Sequence, residues 1–326
     1  MHEHIDLPAP TRSTDAFDTF DTFDAEALAA FHDTSSDGAR RRTSFLRDAV
    51  EDDEPALDPD QRWSTWSSVE KGMRGPEPRP GWVVTADAAI DTDLGVLKTG
   101  KEADVFLLER AVPDDPGQFS LLAAKRYRSS EHRAFHRDSA YVEGRQVRRS
   151  RDRRAIERKS SYGREAAAAQ WANAEFAALT MLWSAGAPVP YPVQIDGTEI
   201  LMEFVGEHAS SGEIDGSPAS RVAAPRLARV RPDAGTVEAY WDQLRGAMGI
   251  LAAHGYAHGD LSPYNVLAQG GRIVIIDLPQ VLDLVANPHG TDLLMRDCRT
   301  MCAWFRSRGL DVDEGELFAE LIAQAW

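Results

Sequence analysis

From Trp82 to Ala111 apolar and polar residues alternate (WVVTADAAIDTDLGVLKTGKEADVFLLERA), the period of two that turns successive side chains to opposite faces of a strand. Within this run VLK and DVFLLER flank TGKE, which predicts strand, tight turn, strand. A loop at 112–119 and a further strand, LLAAKRY at 121–127, follow. The period then changes. EAAAAQWANAEFAALTMLWSAG at 165–186 is a helix on propensity, with Gly186 as its stop. PVPYPVQIDGTEILMEFVG at 188–206 carries Asp196-Gly197, a hairpin signal, and a strand ending in MEFVG. After a polar connection at 207–235, EAYWDQLRGAMGILAAHG at 238–255 reads as an amphipathic helix leading into a polar loop. A turn at Gly270-Gly271 and a strand over Arg272–Ile276 come next, and helices follow Asp292 through Trp326. The sum predicts an α+β fold of two lobes, a smaller β-rich one and then a helical one, joined near residue 205.

Residues 1–75 fit neither period. They are rich in Asp, Ser, Thr and Pro and include a tandem AFDTFDTFD at 16–24 and EDDEPALDPD at 51–60. Such a composition buries too little apolar surface to offset the entropy of ordering the chain. An acidic, disordered tail is therefore predicted for 1–75, with order beginning near Trp82 and a domain over 76–326. The Phe residues between acids also suit a docking motif for a basic, apolar groove, but a solvated tail is the simpler reading.

Charge sharpens that division. The formal net charge of −16 averages two opposed segments. Residues 1–60 hold sixteen Asp and Glu against five Arg, a net of −11, and residues 125–164 hold fourteen Lys and Arg against five acids, a net of +9. The second segment is predicted to be a flexible basic insert at about 128–164. At 326 residues the chain can build one large or two modest cores. Its two cysteines, Cys298 and Cys302, lie four apart in a helical pattern with no further ligands nearby, which argues against zinc and for a reduced, cytoplasmic setting. No leader or membrane-spanning run is visible, so a soluble intracellular protein is expected.

The chemistry is carried by HGDLSPYNVL at 258–267 and IDLPQ at 276–280. Asp260 and Asn265 stand five apart, and Asp277 follows twelve residues after the Asn. This is the spacing of a kinase catalytic loop and its metal-binding Asp. Phosphoryl transfer asks a protein for one carboxylate to position the attacking oxygen and for oxygen ligands that hold Mg²⁺ against the phosphates. Asp260 fits the first task, Asn265 and Asp277 the second. Any one of these acids alone would serve equally well as a turn cap. Lys125 ends an apolar strand, where an ammonium is costly unless paired. A phosphate and a carboxylate would satisfy it.

With these residues in place the chain resembles the RIO family of protein kinases, in the branch whose phosphate loop reads STGKEA. The resemblance runs from about Asp93 to the C-terminus and rests on TGKEADVF at 99–106, AAKRY at 123–127, LMEFVG at 201–206, and HGDLSPYN with IDLPQ. It implies a two-lobed protein-kinase-like fold, with an N-lobe over about 82–205 and a C-lobe over 206–326. It also implies use of ATP with Mg²⁺ (Mn²⁺ as an alternative ion), and transfer of the γ-phosphate to a protein Ser or Thr or to the chain itself. Thr99, Gly100, Lys101 and Glu102 then replace the usual glycine-rich loop. Gly100 is expected at positive φ so that N–H groups reach phosphate oxygens, with Thr99 adding a hydroxyl and Lys101 charge. Glu175, in WANAEF, becomes the partner of Lys125 in preference to Glu165. Glu203 and Val205 offer main-chain groups to adenine, and Met202 lines the back of the pocket. His258 packs within its loop, while Ser262 and Tyr264 brace it.

In some members of this family the metal-binding Asp accepts the phosphate itself, which would make the enzyme an ATPase working through an aspartyl-phosphate. About 50 residues follow Asp277, with no APE motif, so the C-lobe is expected to be reduced and to lack the helices on which ordinary kinases dock peptides. Recognition then falls to the Arg-rich stretch RRSRDRRAIERK at 148–159. It suits RNA phosphates, in keeping with the family's link to ribosomal RNA maturation, or acidic proteins, or the chain's own tail. Aromatic residues there are few (Phe135, Tyr141, Tyr162), which argues against base-specific reading. Two other readings stand beside this one. Aminoglycoside- and choline-type phosphotransferases also use an HGD loop, though with His where this chain has Ser262-Pro263-Tyr264. A nucleotide-binding scaffold without turnover is the other, against which the full set of Lys125, Asp260, Asn265 and Asp277 counsels.

Overall fold

The computed structural model describes residues 57–128, 161–208, 221–278, 282–284 and 286–325. Its alternating segments form one antiparallel sheet of β1 (Gln61–Trp63), β2 (Ile90–Thr99), β3 (Ala103–Val112), β4 (Asp115–Tyr127), β5 (Pro192–Asp196) and β6 (Glu199–Glu203), in the spatial order β1-β2-β3-β4-β6-β5. Because side chains alternate across a strand, the sheet has two apolar faces. One packs Leu108, Leu122, Val193 and Leu201 with Trp66 and Tyr191. The other packs Ala103, Tyr127, Ile195 and Ile200 against Ala168, Ala172 and Phe176 of helix α1 (Ser161–Ser184). The alanines recur every four residues, one face of a helix, and their small side chains let α1 lie close to the sheet. Arg110, fully buried, ties three strands together: it donates to Asp91 of β2 at 2.6 and 2.9 Å and to Gln194 of β5 at 2.9 Å.

Two expectations need correction here. Regular structure does not start near Trp82: among the described residues it is already present at 61–63, which pair with Thr92, Asp91 and Ile90. Trp66, 5% exposed, seals that edge beneath the guanidinium groups of Arg74 and Arg79, at 4.9 and 5.0 Å. Averaged composition over 1–75 concealed QRWSTW at 61–66, which has the aromatic content of a core segment. The loop expected at 112–119 is also shorter. β4 starts at Asp115, and the turn is closed by Asp114 in the left-handed region at φ 63°. The Asp196-Gly197 turn joins β5 to β6 as predicted, with Gly197 at φ 57°. The acidic segment 1–56 and most of the basic insert lie outside the described residues.

The second lobe contains β7 (Gly206–His208), β8 (Arg221–Ala223), α2 (Ala234–Ala253), β9 (Tyr256–Ala257), β10 (Val266–Gln269), β11 (Arg272–Ile275), β12 (Leu282–Asp283), α3 (Gly290–Arg306) and α4 (Glu314–Ala325). The β7–β8 pair stands in what was expected to be plain connection. Asp233 caps α2 by accepting from the Thr236 N–H at 2.8 Å. Its apolar stripe of Val237, Tyr240, Leu244, Met248 and Leu251 packs with α3 and α4 around Leu261, Val266 and Ile273. Cys298 and Cys302 are fully buried in that core as free thiols, and burial pushes them up to about 12 and about 11. The architecture is the α+β, two-lobed, protein-kinase-like one. Among the described residues no helix is long and apolar enough to cross a membrane.

Candidate active site

Between the two lobes lies a cleft of about 800 Å³. Three elements distant in sequence bring charged groups together in it. The pairing of β4 with β3 and β6 puts Lys125 at the cleft end of a central strand, 9% exposed. Packing of Ala172 and Phe176 on the sheet aims Glu175, 2% exposed, at the same point. Lys125 Nζ donates to Glu175 Oε1 at 2.7 Å and to Asp277 Oδ1 at 3.1 Å. Tyr127 Oη donates to the other Glu175 oxygen. The ammonium therefore has two carboxylates and cannot be regarded as snorkelling to solvent.

The electrostatics follow from this pairing. Burial alone would discharge Lys125, but Glu175 and Asp277 outweigh it and hold its pKa above the ordinary lysine value. Burial would likewise raise Asp277, yet Lys125 and then Lys98 hold it below the usual carboxylate range. The sign for stability is fixed by these directions. A depressed carboxyl contributes above its unfolded pKa near 3.8, and the contribution is lost as pH falls through the lower folded value. Asp277 is thus ionised throughout the neutral range. Its backbone sits at φ 66°, the left-handed region that non-glycine residues seldom adopt.

Across the cleft, the loop 258–265 is built on hydrogen bonds. The Asn265 side-chain amide donates to the Asp260 carbonyl at 3.0 Å, and the Ile276 N–H donates to the Asn265 carbonyl at 2.9 Å. His258, 1% exposed, accepts the Asp260 N–H on Nδ1 at 3.3 Å and donates from Nε2 to the Ile276 carbonyl at 3.2 Å. Burial lowers its pKa, so it is a neutral brace between the two Asp-bearing segments and not a base. The Asp260 carboxylate stays 60% exposed, with Arg296 at 3.6 Å.

Not every predicted site residue does what its sequence position suggested. Gly100, Lys101, Glu102, Met202, Glu203 and Val205 line the cleft with Lys125, Glu175, Asp260, Asn265 and Asp277. Thr99 does not; its hydroxyl engages the Asp104 carboxylate. Nor is Gly100 at positive φ. Its N–H donates to the Ala103 carbonyl at 3.0 Å, and a Cβ there would lie 2.8 Å from that same oxygen, so glycine is required by close approach within the turn. At the interlobe strand, Glu203 N–H donates to Tyr191 O and Val205 O accepts from Ala224 N–H, both at 2.9 Å. The Glu203 carboxylate is turned to Arg272 at 3.0 Å. The side chain of Glu165 and the segment 148–159 lie outside the described residues.

Four residues were missed. Lys98 reaches Asp277 at 3.7 Å. A register shift between Val96 and Lys98 breaks the alternation that would have shown which face it takes. Arg226 and Arg229 line the same cleft. Asp297 of α3 supports the loop from below, accepting the N–H groups of Gly259 at 2.7 Å and Leu261 at 2.8 Å. Its signal was present: in LLMRDCRTM it shares the apolar stripe of Leu293, Leu294 and Met301, an odd place for an acid.

Burial pushes the Asp297 carboxyl up to about 7 against the pull of those two N–H groups and of Arg296. A raised folded pKa means that the native state holds a proton the unfolded chain releases near 3.8, so this group's contribution falls as pH rises from there towards 7. Asp297→Asn turns an NH₂ group towards one backbone N–H and should cost about 1–3 kcal/mol. The deficit should be largest near the acid end of that window and shrink towards neutrality. Urea melts of the two proteins at several pH values measure it.

Comparison with known proteins gives a consistent relationship. The family model described as RIO domain matches residues 117–317. The RIO-type serine/threonine-protein kinase Rio1 of Haloferax volcanii is 34% identical over 233 residues, 71% of this chain and 69% of that protein. Human serine/threonine-protein kinase RIO3 is 27% identical over 288 residues, 85% of this chain but 48% of that protein. The chain thus spans about half the length of this animal relative. A solved Rio2 kinase from Chaetomium thermophilum overlaps 71% of this chain and 63% of its own at 21% identity, with a TM-score of 0.47.

Proposed function

The chain belongs to the RIO family of serine/threonine protein kinases, and we propose that its cleft binds ATP with Mg²⁺ and transfers the γ-phosphoryl group to a Ser or Thr hydroxyl. The observation that carries this is the joined set Glu175–Lys125–Asp277, at 2.7 and 3.1 Å, facing Asp260 and Asn265 across one cavity. Lys125 and Lys98 supply the positive charge for a triphosphate. The Glu203 carbonyl and the Val205 N–H are the main-chain pair proposed for adenine, since their neighbouring groups are already engaged.

The donor set suits a small hard cation. The Asn265 amide nitrogen is committed to Asp260, which leaves its carbonyl oxygen for a ligand role, and Asp277 is held ionised. Among the described residues no group of three or more His, Cys, Asp or Glu could hold a metal alone. That fits Mg²⁺, which takes one or two protein oxygens and completes its shell with phosphates and water. When bound it would neutralise phosphate charge.

In the proposed reaction the exposed Asp260 carboxylate accepts the hydroxyl proton as the oxygen attacks the γ-phosphorus, the β–γ bridging bond breaks, and ADP leaves. A second route is favoured by one feature, the left-handed backbone of Asp277, which presents its carboxylate to the cleft. There Asp277 itself attacks, forming an acyl phosphate that water hydrolyses, and the protein works as an ATPase. Incubation with γ-labelled ATP separates the two. Acid-stable protein label supports hydroxyl transfer, hydroxylamine-labile label supports the acyl phosphate, and no label with no ADP release contradicts both.

The Arg-rich segment 148–159 is proposed to bind RNA phosphates. Replacing Arg148, Arg149, Arg151, Arg153 and Arg154 by Gln should abolish salt-sensitive RNA retention in filter binding, and unchanged retention would remove that role.

A further inference from the structure

Asp277 offers two carboxylate oxygens to the cleft, and an ammonium group stands at each. Lys125 Nζ lies 3.1 Å from Oδ1 and Lys98 Nζ 3.7 Å from Oδ2. The two cations differ in kind. Lys125 is buried and shared with Glu175 at 2.7 Å, so it is fixed in place. The Lys98 side chain is 46% exposed and has Asp277 as its one carboxylate partner among the described residues. A pair so open to water is weak, and Lys98 can leave it at little cost. Lys98 stands at the end of β2, directly after a register shift and two residues before Gly100 of the turn, and it lines the cleft with Gly100 and Lys101. A third cation feels the same carboxylate: burial lowers the pKa of half-buried Arg226, and the charge of Asp277 opposes that.

A triphosphate that enters this cleft meets Asp277 as a like charge. A metal ion between them would relieve the repulsion, but Lys98 already covers the oxygen that Lys125 leaves open. Its ammonium is a compact charge on a flexible four-carbon stem, able to face a carboxylate and a phosphate together. We propose that Lys98 lets the cleft take up a nucleoside triphosphate that carries no metal, and so sets how far Mg²⁺ strengthens nucleotide binding. When Asp277 serves as a metal ligand, Lys98 is released from Oδ2 and its contribution to binding falls. This rests on the nucleotide reading of the cleft given above, and it adds a determinant of which form of the nucleotide, metal-free or metal-bound, the cleft accepts.

Isothermal titration of ATP into the full chain, once with EDTA and once with Mg²⁺, gives the strengthening as a ratio of two Kd values. The wild type should bind in both conditions and more tightly with Mg²⁺. Lys98→Met should weaken binding about tenfold in EDTA but less than about threefold with Mg²⁺, so the ratio rises. Lys98→Arg keeps a cation of similar reach and should restore the wild-type ratio. Because the pair it removes is exposed and weak, Lys98→Met keeps the fold, which thermal melts check. Lys101→Met controls for charge in general, since Lys101 is exposed, lines the same cleft and has no carboxylate partner among the described residues. Its ratio should stay within about twofold of the wild type. Equal losses in EDTA and in Mg²⁺, the same rise in Lys101→Met, no restoration by Lys98→Arg, or wild-type uptake confined to Mg²⁺ would each overturn the role of Lys98 and leave the nucleotide site standing. No ATP uptake by the wild type in either condition would overturn the nucleotide reading, and this inference with it.

Discussion

Asp277→Asn is expected to lower ATP turnover roughly 10³-fold while leaving the fold in place. The reasons are local. Asn matches Asp in size and is among the few residues that tolerate the left-handed backbone found here at φ 66°. Lys125 keeps its 2.7 Å bond to Glu175, so no cation is stranded. What disappears is one negative charge and one anionic ligand at the centre of the cleft, which both proposed routes need. Coupled-enzyme measurement of ADP release, beside thermal melts of the same preparations, reads the two quantities apart. Coincident rates for the two proteins would remove Asp277 from the chemistry. A large loss of melting temperature would assign it a structural role.

Lys125→Met should do the opposite and damage stability and binding together. It leaves Glu175, 2% exposed, with only the Tyr127 hydroxyl, and breaking a buried pair from one side costs about 3–5 kcal/mol. Adding Glu175→Gln removes the stranded charge while keeping an acceptor for Tyr127. The double variant should therefore recover most of the stability yet none of the nucleotide affinity. Such a non-additive cycle is the signature of a contacting pair. Denaturant midpoints together with nucleotide titration check it. A double variant no more stable than Lys125→Met alone would mean that Lys125 acts through packing.

What could be read in advance follows a physical line. Alternation and turn chemistry are local, so the hairpins at TGKE and at Asp196-Gly197 and the helices that became α1 and α2 were legible from residues a few positions apart. That Asp260, Asn265 and Asp277 would line one cleft was legible in the order and spacing of HGDLSPYN and IDLPQ. Residues whose role depends on a distant partner were not. Lys98 follows a bulge that breaks the period, and Asp297 acts across 36 and 38 positions on Leu261 and Gly259. Arg226 matters because its segment folds under the loop. Gly100 was placed in the right turn but with the wrong backbone conformation, and the Thr99 hydroxyl there is engaged by Asp104. The direction in which a turn spends its donors is set by the tertiary contact with Asp104 and Ala103 and not by composition. Trp66 shows the complementary error, a core aromatic hidden inside an acidic average.

The account stands on one claim, that these groups converge to grip a magnesium–nucleotide complex. Isothermal titration of ATP into the protein, with and without Mg²⁺, tests it most directly. Saturable one-to-one uptake that strengthens with Mg²⁺ and vanishes in Lys125→Met/Glu175→Gln, a variant chosen to stay folded, is the predicted result. Absence of nucleotide uptake by the wild type, or uptake that is the same in that variant, would contradict it.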